Sequence, residues 1–437
     1  MTDQPIFGAL RTIFAKTFGE LPDYRCGQNT QYEVSDAAMG AFGVFFIQSP
    51  SFLAYQRDMQ RLKGCNNAQS IFGMTDIPCN QQIRNLLDPI APTNLRAPFW
   101  SVLEYLMDDK EVAAAFEFDG GWLCSIDGTQ YYRSEKIHCP QCTILHHGDS
   151  VSYAHTVLIP VLVKPGKKEA LVLEPEFITS QDGSIKQDCE SNAARRWVTR
   201  NADHFSGRKV TILADDLHCK QPFCELLIKH HLDFILVCKP QSHTTLYEEV
   251  ALLEKCGGVT HCQDRVWTGK EHQLWSYRFA EHVPLRLPPD TLHVNWCELI
   301  ITHEDSGEKI FHNSFATNHT ISAETVRNIV SAGRTRWKVE NEGNNVLKNH
   351  GYHLEHNYGH GHQHLSTVLL MLNLLAFLCH TALQLCDRTY QCLRAELGAR
   401  RTFFDDLRTL TRYLFFKSWE HLLTFMITGL ELSVEPN

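Results

Sequence analysis

Residues 209–218 read KVTILADDLH, an apolar run from Val210 to Ala214 broken by Thr211 and closed by two acids, Asp215 and Asp216. Five such residues bounded by polar ones predict a buried strand, and the acids fall where its C-terminal end meets solvent. Downstream, QPFCELLIKHH (221–231) has helical spacing and DFILVCKP (233–240) predicts another buried strand. Upstream lies a helix, DCESNAARRWVTRNADHF (188–205), and before it three strand patterns. These are GWLCSIDGTQYY (121–132), the hairpin SEKIHCPQCTILHH (134–147) turning at Cys139–Cys142, and VSYAHTVLIPVLV (151–163). Strands, helix, strand, helix, strand is an α/β order, and open sheets of this kind put their sites beyond the strand ends.

Outward from this core the pattern changes. Residues 1–115 alternate short helical patterns with loops, as in SFLAYQRDMQRLKG (51–64) and CNQQIRNLLDPI (79–90). These residues read as a helical N-terminal region, expected to bind DNA. Residues 116–241 form the first part of the core. Residues 242–322 turn β-rich (RVWTG, QLWSYRFA, HVNWCELIITHE, KIFHNSFAT) and read as an insertion. Residues 323–361 return to the core with a helix and loop, and 362–437 are helical. The apolar VLLMLNLLAFLC (368–379) is too short to span a bilayer and predicts a buried helix rather than a membrane segment.

The chain has 437 residues and a formal charge of −9, which argues against a wholly basic nucleic-acid binder but leaves local basic strips open. Three strips stand out, Lys186–Lys209, Arg327–Lys348 and Arg388–Lys417, each also readable as a solvated face. MTDQPIFGALRTIF has no basic start followed by an apolar run, so a cytoplasmic setting is expected. The sixteen cysteines then point to reduced thiols or a metal site rather than disulfides.

The helix within RTRWKVENEGNNVLKNHGY (334–352) carries Arg336 and Glu340 four residues apart, on one face. Trp337 is expected to face the core and anchor it. An exposed ion pair is the plain reading of Arg336 and Glu340. The other is that Glu340 joins Asp127, after the first strand, and Asp215. Three converging carboxylates can hold two divalent ions about 4 Å apart for phosphodiester chemistry, and an all-oxygen site suits Mg²⁺ or Mn²⁺. Asp216 competes with Asp215, which is preferred because it directly follows the apolar run.

SIDGTQYY, ILADDLH and RTRWKVENE, with IHCPQC, KQDCESNAARRW and LKNHGYHLEHNYGHGH around them, resemble the DDE transposases of bacterial insertion sequences. The resemblance runs from about Ser51 to about His380. It is nearest to the group with a β-rich insertion before the glutamate and a Tyr-Arg-Glu-Lys signature on the glutamate helix. It implies an RNase H-like core, Asp127, Asp215 and Glu340 as catalytic metal ligands for Mg²⁺ or Mn²⁺, and Arg336 as the signature arginine. Arg334, Lys239 and Lys348 are further candidates for phosphate contact. Two departures stand out: Gly333 occupies the tyrosine position, and the lysine comes one residue late, at Lys348. On an α-helix the family's seven-residue step leaves roughly 20° between glutamate and lysine, whereas eight leaves about 80°. A kink at Gly343 would restore the alignment.

Function is therefore expected to be transposition: binding of terminal inverted repeats, metal-dependent cleavage and strand transfer, by a homodimer on double-stranded DNA associated with the bacterial nucleoid. A catalytically silent DNA-binding repressor and an RNase H-like nuclease without joining activity are the alternatives.

Cys139-Pro140-Gln141-Cys142 has zinc-knuckle spacing, with His138, His146, His147, His155 and Cys189 as possible further ligands. Plain reduced thiols and a redox pair are the competing readings. The histidine-rich HLEHNYGHGHQH (353–364) is expected to be a loop lining a DNA groove or packing on the core, without metal.

Overall fold

The computed structural model describes residues 5–27, 30–59, 62–179 and 188–433. The sequence VTILA becomes a strand buried at every position, and the whole α/β core is assembled around it. Thirteen strands are formed among the described residues: β1 (Trp122–Ser125), β2 (Gly128–Ser134), β3 (Thr143–His147), β4 (Ser150–Leu158), β5 (Val161–Val163), β6 (Leu171–Val172), β7 (Glu176–Ile178), β8 (Val210–Ala214), β9 (Asp233–Val237), β10 (Thr260–Trp267), β11 (His272–Pro284), β12 (His293–His303) and β13 (Lys309–Thr317). Nine of them make one sheet in the order β10-β11-β12-β13-β9-β8-β1-β5-β6. At its centre β1, β8 and β9 run parallel, flanked by antiparallel β5 on one side and antiparallel β13 on the other.

The β-rich stretch after residue 242, expected as an insertion, forms β10–β13, which extend the central sheet outward from β9. Two features depart from the sequence expectation. The hairpin expected to turn at Cys139–Cys142 does not pair β2 with β3. Instead β4 lies between them, the tight turn being at Gly148 (φ +60°) between β3 and β4. The expected single strand 151–163 breaks at Pro160, which has no N–H to continue a ladder. Residues before it stay in the small sheet β2-β4-β3, where β7 also pairs β4, and residues after it enter the large one.

The N-terminal helices are α1 (Ile6–Gly19), α2 (Val34–Phe46), α3 (Phe52–Met59), α4 (Leu62–Phe72), α5 (Asn80–Leu87), α6 (Ala97–Met107) and α7 (Lys110–Phe116). Core helices follow: α8 (Glu190–Asn201), α9 (Gln221–Lys229), α10 (Thr244–Lys255), α11 (Val326–Thr335) and α12 (Asn345–Asn349). The C-terminal set is α13 (Leu365–Cys386), α14 (Arg388–Glu396), α15 (Arg400–Tyr413) and α16 (Trp419–Gly429). The apolar tract expected to be too short to span is part of a 22-residue helix, long and apolar enough to cross a membrane, yet 89% of that window is buried within the protein. Its partners include α1, α2 and α6, so both ends of the chain share one core.

Several arginines of the three basic strips are held in ion pairs. Arg196 and Arg200, from the first basic strip, pair with the buried acids Glu174 and Glu176, and Arg196 also holds Asp188. Arg412 pairs with buried Asp58, and Arg327 with Asp264. Arginines from each strip thus serve as ion-pair partners, while others, such as Arg401, stay exposed; Lys186, where the first strip starts, lies outside the described residues.

Candidate functional site

Because β1 and β8 are parallel neighbours with Ser125 opposite Leu213, the residues two places on, Asp127 and Asp215, leave the same edge of the sheet side by side. The Ile126 N–H donates to the Leu213 carbonyl at 2.9 Å, carrying the pairing to the last residue before Asp127. Asp215 accepts the Leu217 N–H at 3.0 Å, which fixes the turn after β8. Asp216 points elsewhere. Its carboxylate takes the Lys239 N–H at 2.7 Å and the Ser242 hydroxyl and lies 3.3 Å from His243, so it ties the end of β9 to α10. That geometry favours Asp215 over Asp216 as the second acid.

The Glu340 segment is not a continuous α-helix. After α11, i→i+3 bonds from Arg336, Trp337 and Val339 tighten the chain, and residues Val339–Asn344 then form a π-helix that runs into α12. The altered winding reverses one expectation: Trp337 is 46% exposed, whereas Lys338 and Val339 are buried. The Lys338 ammonium donates to the Lys164 and Lys167 carbonyls. A π turn absorbs an extra residue, so the eight-residue spacing from Glu340 to Lys348 winds more like seven, and the break begins before Gly343. Even so, Lys348 does not reach the acids; it pairs with Glu355 at 2.8 Å.

Arg336 stands between the acids, 2.9 Å from Glu340 Oε1 and 4.0 Å from Asp127 Oδ1. Asn344, at the end of the π turn, donates to Asp127 Oδ2 at 3.4 Å. A fourth carboxylate, Glu190 at the start of α8, completes the group. It packs so closely on Gly128 that a Cβ there would lie 2.3 Å from Glu190 Oε2, and buried His218 holds its other oxygen at 3.0 Å. Glycine directly after Asp127 is therefore required for the carboxylate to approach.

Burial pushes the Asp127 carboxyl up to about 7; Arg336 pulls it down, while Glu190, Glu340 and Asp215 push it further up. One guanidinium among four acids leaves uncompensated negative charge on a sheet edge, an environment that favours a cation. All four acids offer carboxylate oxygens, the donor type that Mg²⁺ and Mn²⁺ take in preference to softer ligands. The carboxylates do not close into a cage: Asp127, Asp215 and Glu340 do not bring ligand atoms within 4.8 Å of one another as a trio. Glu340 is 52% exposed and held back by Arg336.

The remaining expected residues divide. Lys239 is exposed at the end of β9, beside the turn that carries Asp215 and Asp216. Arg334 is not free for phosphate. Its guanidinium lies 4.7 Å from the ring centroids of both Trp275 and Phe311, binding α11 to the extended sheet. At the signature tyrosine position, a Cβ on Gly333 would come within 2.7 Å of the Phe315 ring and 3.0 Å of Ile235, so close helix-to-sheet packing excludes a tyrosine.

Two buried thiol–imidazole groups stand apart from the acids: Cys139, Cys142, His155 and His360, and Cys219, Cys238 and His243, each with donor atoms mutually within 4.8 Å. Either group could hold a metal. The first corrects the reading of the histidine-rich loop, since His360 from that loop joins the cysteine pair. Among the other proposed ligands, His138 is exposed and stacks on Tyr153, while His146 and Cys189 are exposed and take no part. The side chain of His147 lies outside those described.

Sequence reasoning missed Glu190, His218 and His360. A glutamate in a helix's first turn ordinarily serves the helix dipole, so nothing in CESNAARRW marks Glu190 as a site residue. Comparison with protein-family models and with curated proteins gives no match.

Proposed function

We propose that the chain is a DNA transposase of the DDE type, with Asp127, Asp215 and Glu340 as its metal-binding acids. The observation that carries this is the pairing of Asp127 with Asp215 at the ends of adjacent parallel strands, with Glu340 and Arg336 brought to them from far along the chain. The strand order β6-β5-β1-β8-β9, two antiparallel steps followed by two parallel ones, supports an RNase H-like core.

Bound between these oxygens, Mg²⁺ or Mn²⁺ would supply Lewis-acid polarisation of a phosphodiester and a more acidic attacking water. The protein's part is positional. The sheet edge fixes Asp127 and Asp215 relative to each other. Release of Glu340 from Arg336 would turn its carboxylate toward them and free the guanidinium for a DNA phosphate. Glu190, oriented by His218, adds a fourth oxygen donor at the rim. A homodimer on paired DNA ends is part of the same reading.

Supercoiled plasmid carrying the gene with its native flanking DNA is the substrate that tests this. With Mg²⁺ or Mn²⁺ the parent should nick and join at the flanks. Asp127→Asn and Asp215→Asn should lose at least about 10³-fold in rate, given the share of the barrier that metal chemistry carries. Asp216→Asn should keep the reaction if it folds. Equal cleavage by Asp127→Asn and the parent would end the proposal; specific binding to the flanks without nicking would favour the silent DNA-binding alternative.

A further inference from the structure

We propose that Cys139, Cys142, His155 and His360 form a structural zinc site that fastens the small sheet to the segment leading out of the Glu340 helix. The inference is independent of the transposase reading.

Its first support is geometric. Sγ of Cys139 and Sγ of Cys142 are 3.8 Å apart. His155 Nε2 lies 3.5 Å and 3.4 Å from the two sulfurs, and His360 Nε2 lies 3.6 Å from Cys142 Sγ. A tetrahedral zinc with bonds of about 2.3 Å to sulfur and about 2.0–2.1 Å to nitrogen has S···S edges of ~3.8 Å and S···N edges of ~3.6 Å. Four of the six edges thus match those of a tetrahedral ion, and all the donor atoms lie within 4.8 Å of one another. At 3.8 Å the two sulfurs are separate thiols and not a disulfide of about 2.05 Å.

The second support is enclosure. All four residues are buried, His155 to 1% exposure. The turn that brings the thiols together is closed by the Cys142 N–H donating to the Cys139 carbonyl at 3.1 Å. The rings are aimed by aromatic packing, His155 on Tyr131 and His360 on Tyr132. The other group, Cys219, Cys238 and His243, offers three donors only, and the His243 ring faces Asp216.

Where the ligands come from gives the site its role. Two lie in the link between β2 and β3, one on β4, and one in the loop before α13. The same junction is stitched by Gln141 to His364 at 2.8 Å and by Asp88, whose carboxylate accepts the N–H groups of His362, Gln363 and Leu365. Gly361 (φ +71°) is needed for that approach, since a Cβ would lie 2.2 Å from Asp88 Oδ1. Zinc here would hold the small sheet to the exit of the Glu340 segment, which Asp88 in turn ties to the N-terminal helices.

The test is metal analysis of the full-length chain purified without added metal. It should contain about one zinc per chain, and replacement by Co²⁺ should give the intense visible absorption of a tetrahedral thiolate site. His360→Ala should lose stoichiometric zinc, His360→Cys should retain it because four ligands remain, and His146→Ala should change nothing. A fully reduced parent that takes up neither Zn²⁺ nor Co²⁺ would overturn the inference, whatever the variants do. So would a His360→Ala chain holding as much zinc as the parent.

Discussion

The cluster at Cys139, Cys142, His155 and His360 and the cluster at Asp127, Asp215, Glu340 and Glu190 differ in how much of their geometry the protein sets without a counter-ion. Thiols and imidazoles can approach as neutral groups sharing protons, and the fold closes them to tetrahedral spacing inside a dry junction. Carboxylates are charged near neutral pH and repel, so the fold can align two of them by strand register but leaves the others apart. Its partial answers are visible: Arg336 leans between Asp127 and Glu340, and Asp127 has a raised affinity for a proton. A closed site suits an ion that stays, and an open one suits ions that exchange with substrate.

The contrast should be largest on removal of metal. Dialysis against metal-free buffer, followed by reaction without added divalent cation, should abolish cleavage while thermal unfolding shifts little, and Mg²⁺ or Mn²⁺ should restore it. A strong zinc chelator under reducing conditions should instead lower the melting temperature, on the order of 5–10 °C, since metal-binding energy is folding energy at a structural site. Calorimetry and metal analysis of the same samples separate the two effects. Identical responses to both treatments would erase the distinction.

Next is pH. The folded Asp127 carboxyl lies near 7, against an ordinary 3.8, so the folded state binds its proton more tightly than the unfolded chain. Its contribution is stabilising at low pH and is lost as pH rises from about 4 to about 7, with a ceiling of about 4 kcal/mol. Without divalent cation, stability should fall across that window by more in the parent than in Asp127→Asn. Saturating Mg²⁺ should flatten the slope. A parent and variant with parallel pH profiles would show that Asp127 is not the group responsible.

How far the two sites could be read from sequence follows from the range of the interactions that build them. VTILA, followed by an acid, marks a buried strand by local pattern alone, and most core elements were legible in the same way. Cys139 and Cys142 were legible as a pair because only two residues separate them. His360 was not, because a contact across more than two hundred residues depends on Asp88 and Gly361 folding the loop back. Trp337 was misplaced because apolar spacing was read on one uninterrupted α-helix, whereas the π turn at Val339–Asn344 rewinds the chain. That the β-rich insertion would extend the central sheet was not legible, because strand propensity carries no information about which edge a strand will join.

Glu190 offers a smaller perturbation confined to the open site. Glu190→Gln keeps the shape and the contact with His218 but removes one of the charges that push Asp127 upward. Cleavage should fall about 10–100-fold at limiting Mg²⁺, the range typical of groups that support a metal's direct ligands, and should partly recover at high Mg²⁺. Zinc content should not move. No change in the metal dependence would mean that Glu190 serves only the helix start.

The smallest effect is expected where the open site depends on packing rather than charge. Gly333 lets α11 sit directly on Phe315 and Ile235, and α11 delivers Arg336 and Glu340 to the sheet edge. Gly333→Ala adds a methyl group that meets the Phe315 ring at 2.7 Å, so the helix must move outward by a few tenths of an ångström or the ring must turn. Alanine's better helix propensity, worth about 1 kcal/mol, works against an overpacking cost of about 1–3 kcal/mol, so the net loss of stability should be about 0–2 kcal/mol. Cleavage should drop more than that stability loss suggests, because the shift is transmitted to Arg336 and Glu340, whereas Asp127 and Asp215 remain on β1 and β8. Urea unfolding gives the first quantity and the metal-dependent cleavage rate the second. A variant less stable by 1 kcal/mol but equally active would mean that Glu340 finds its working position independently of where α11 rests.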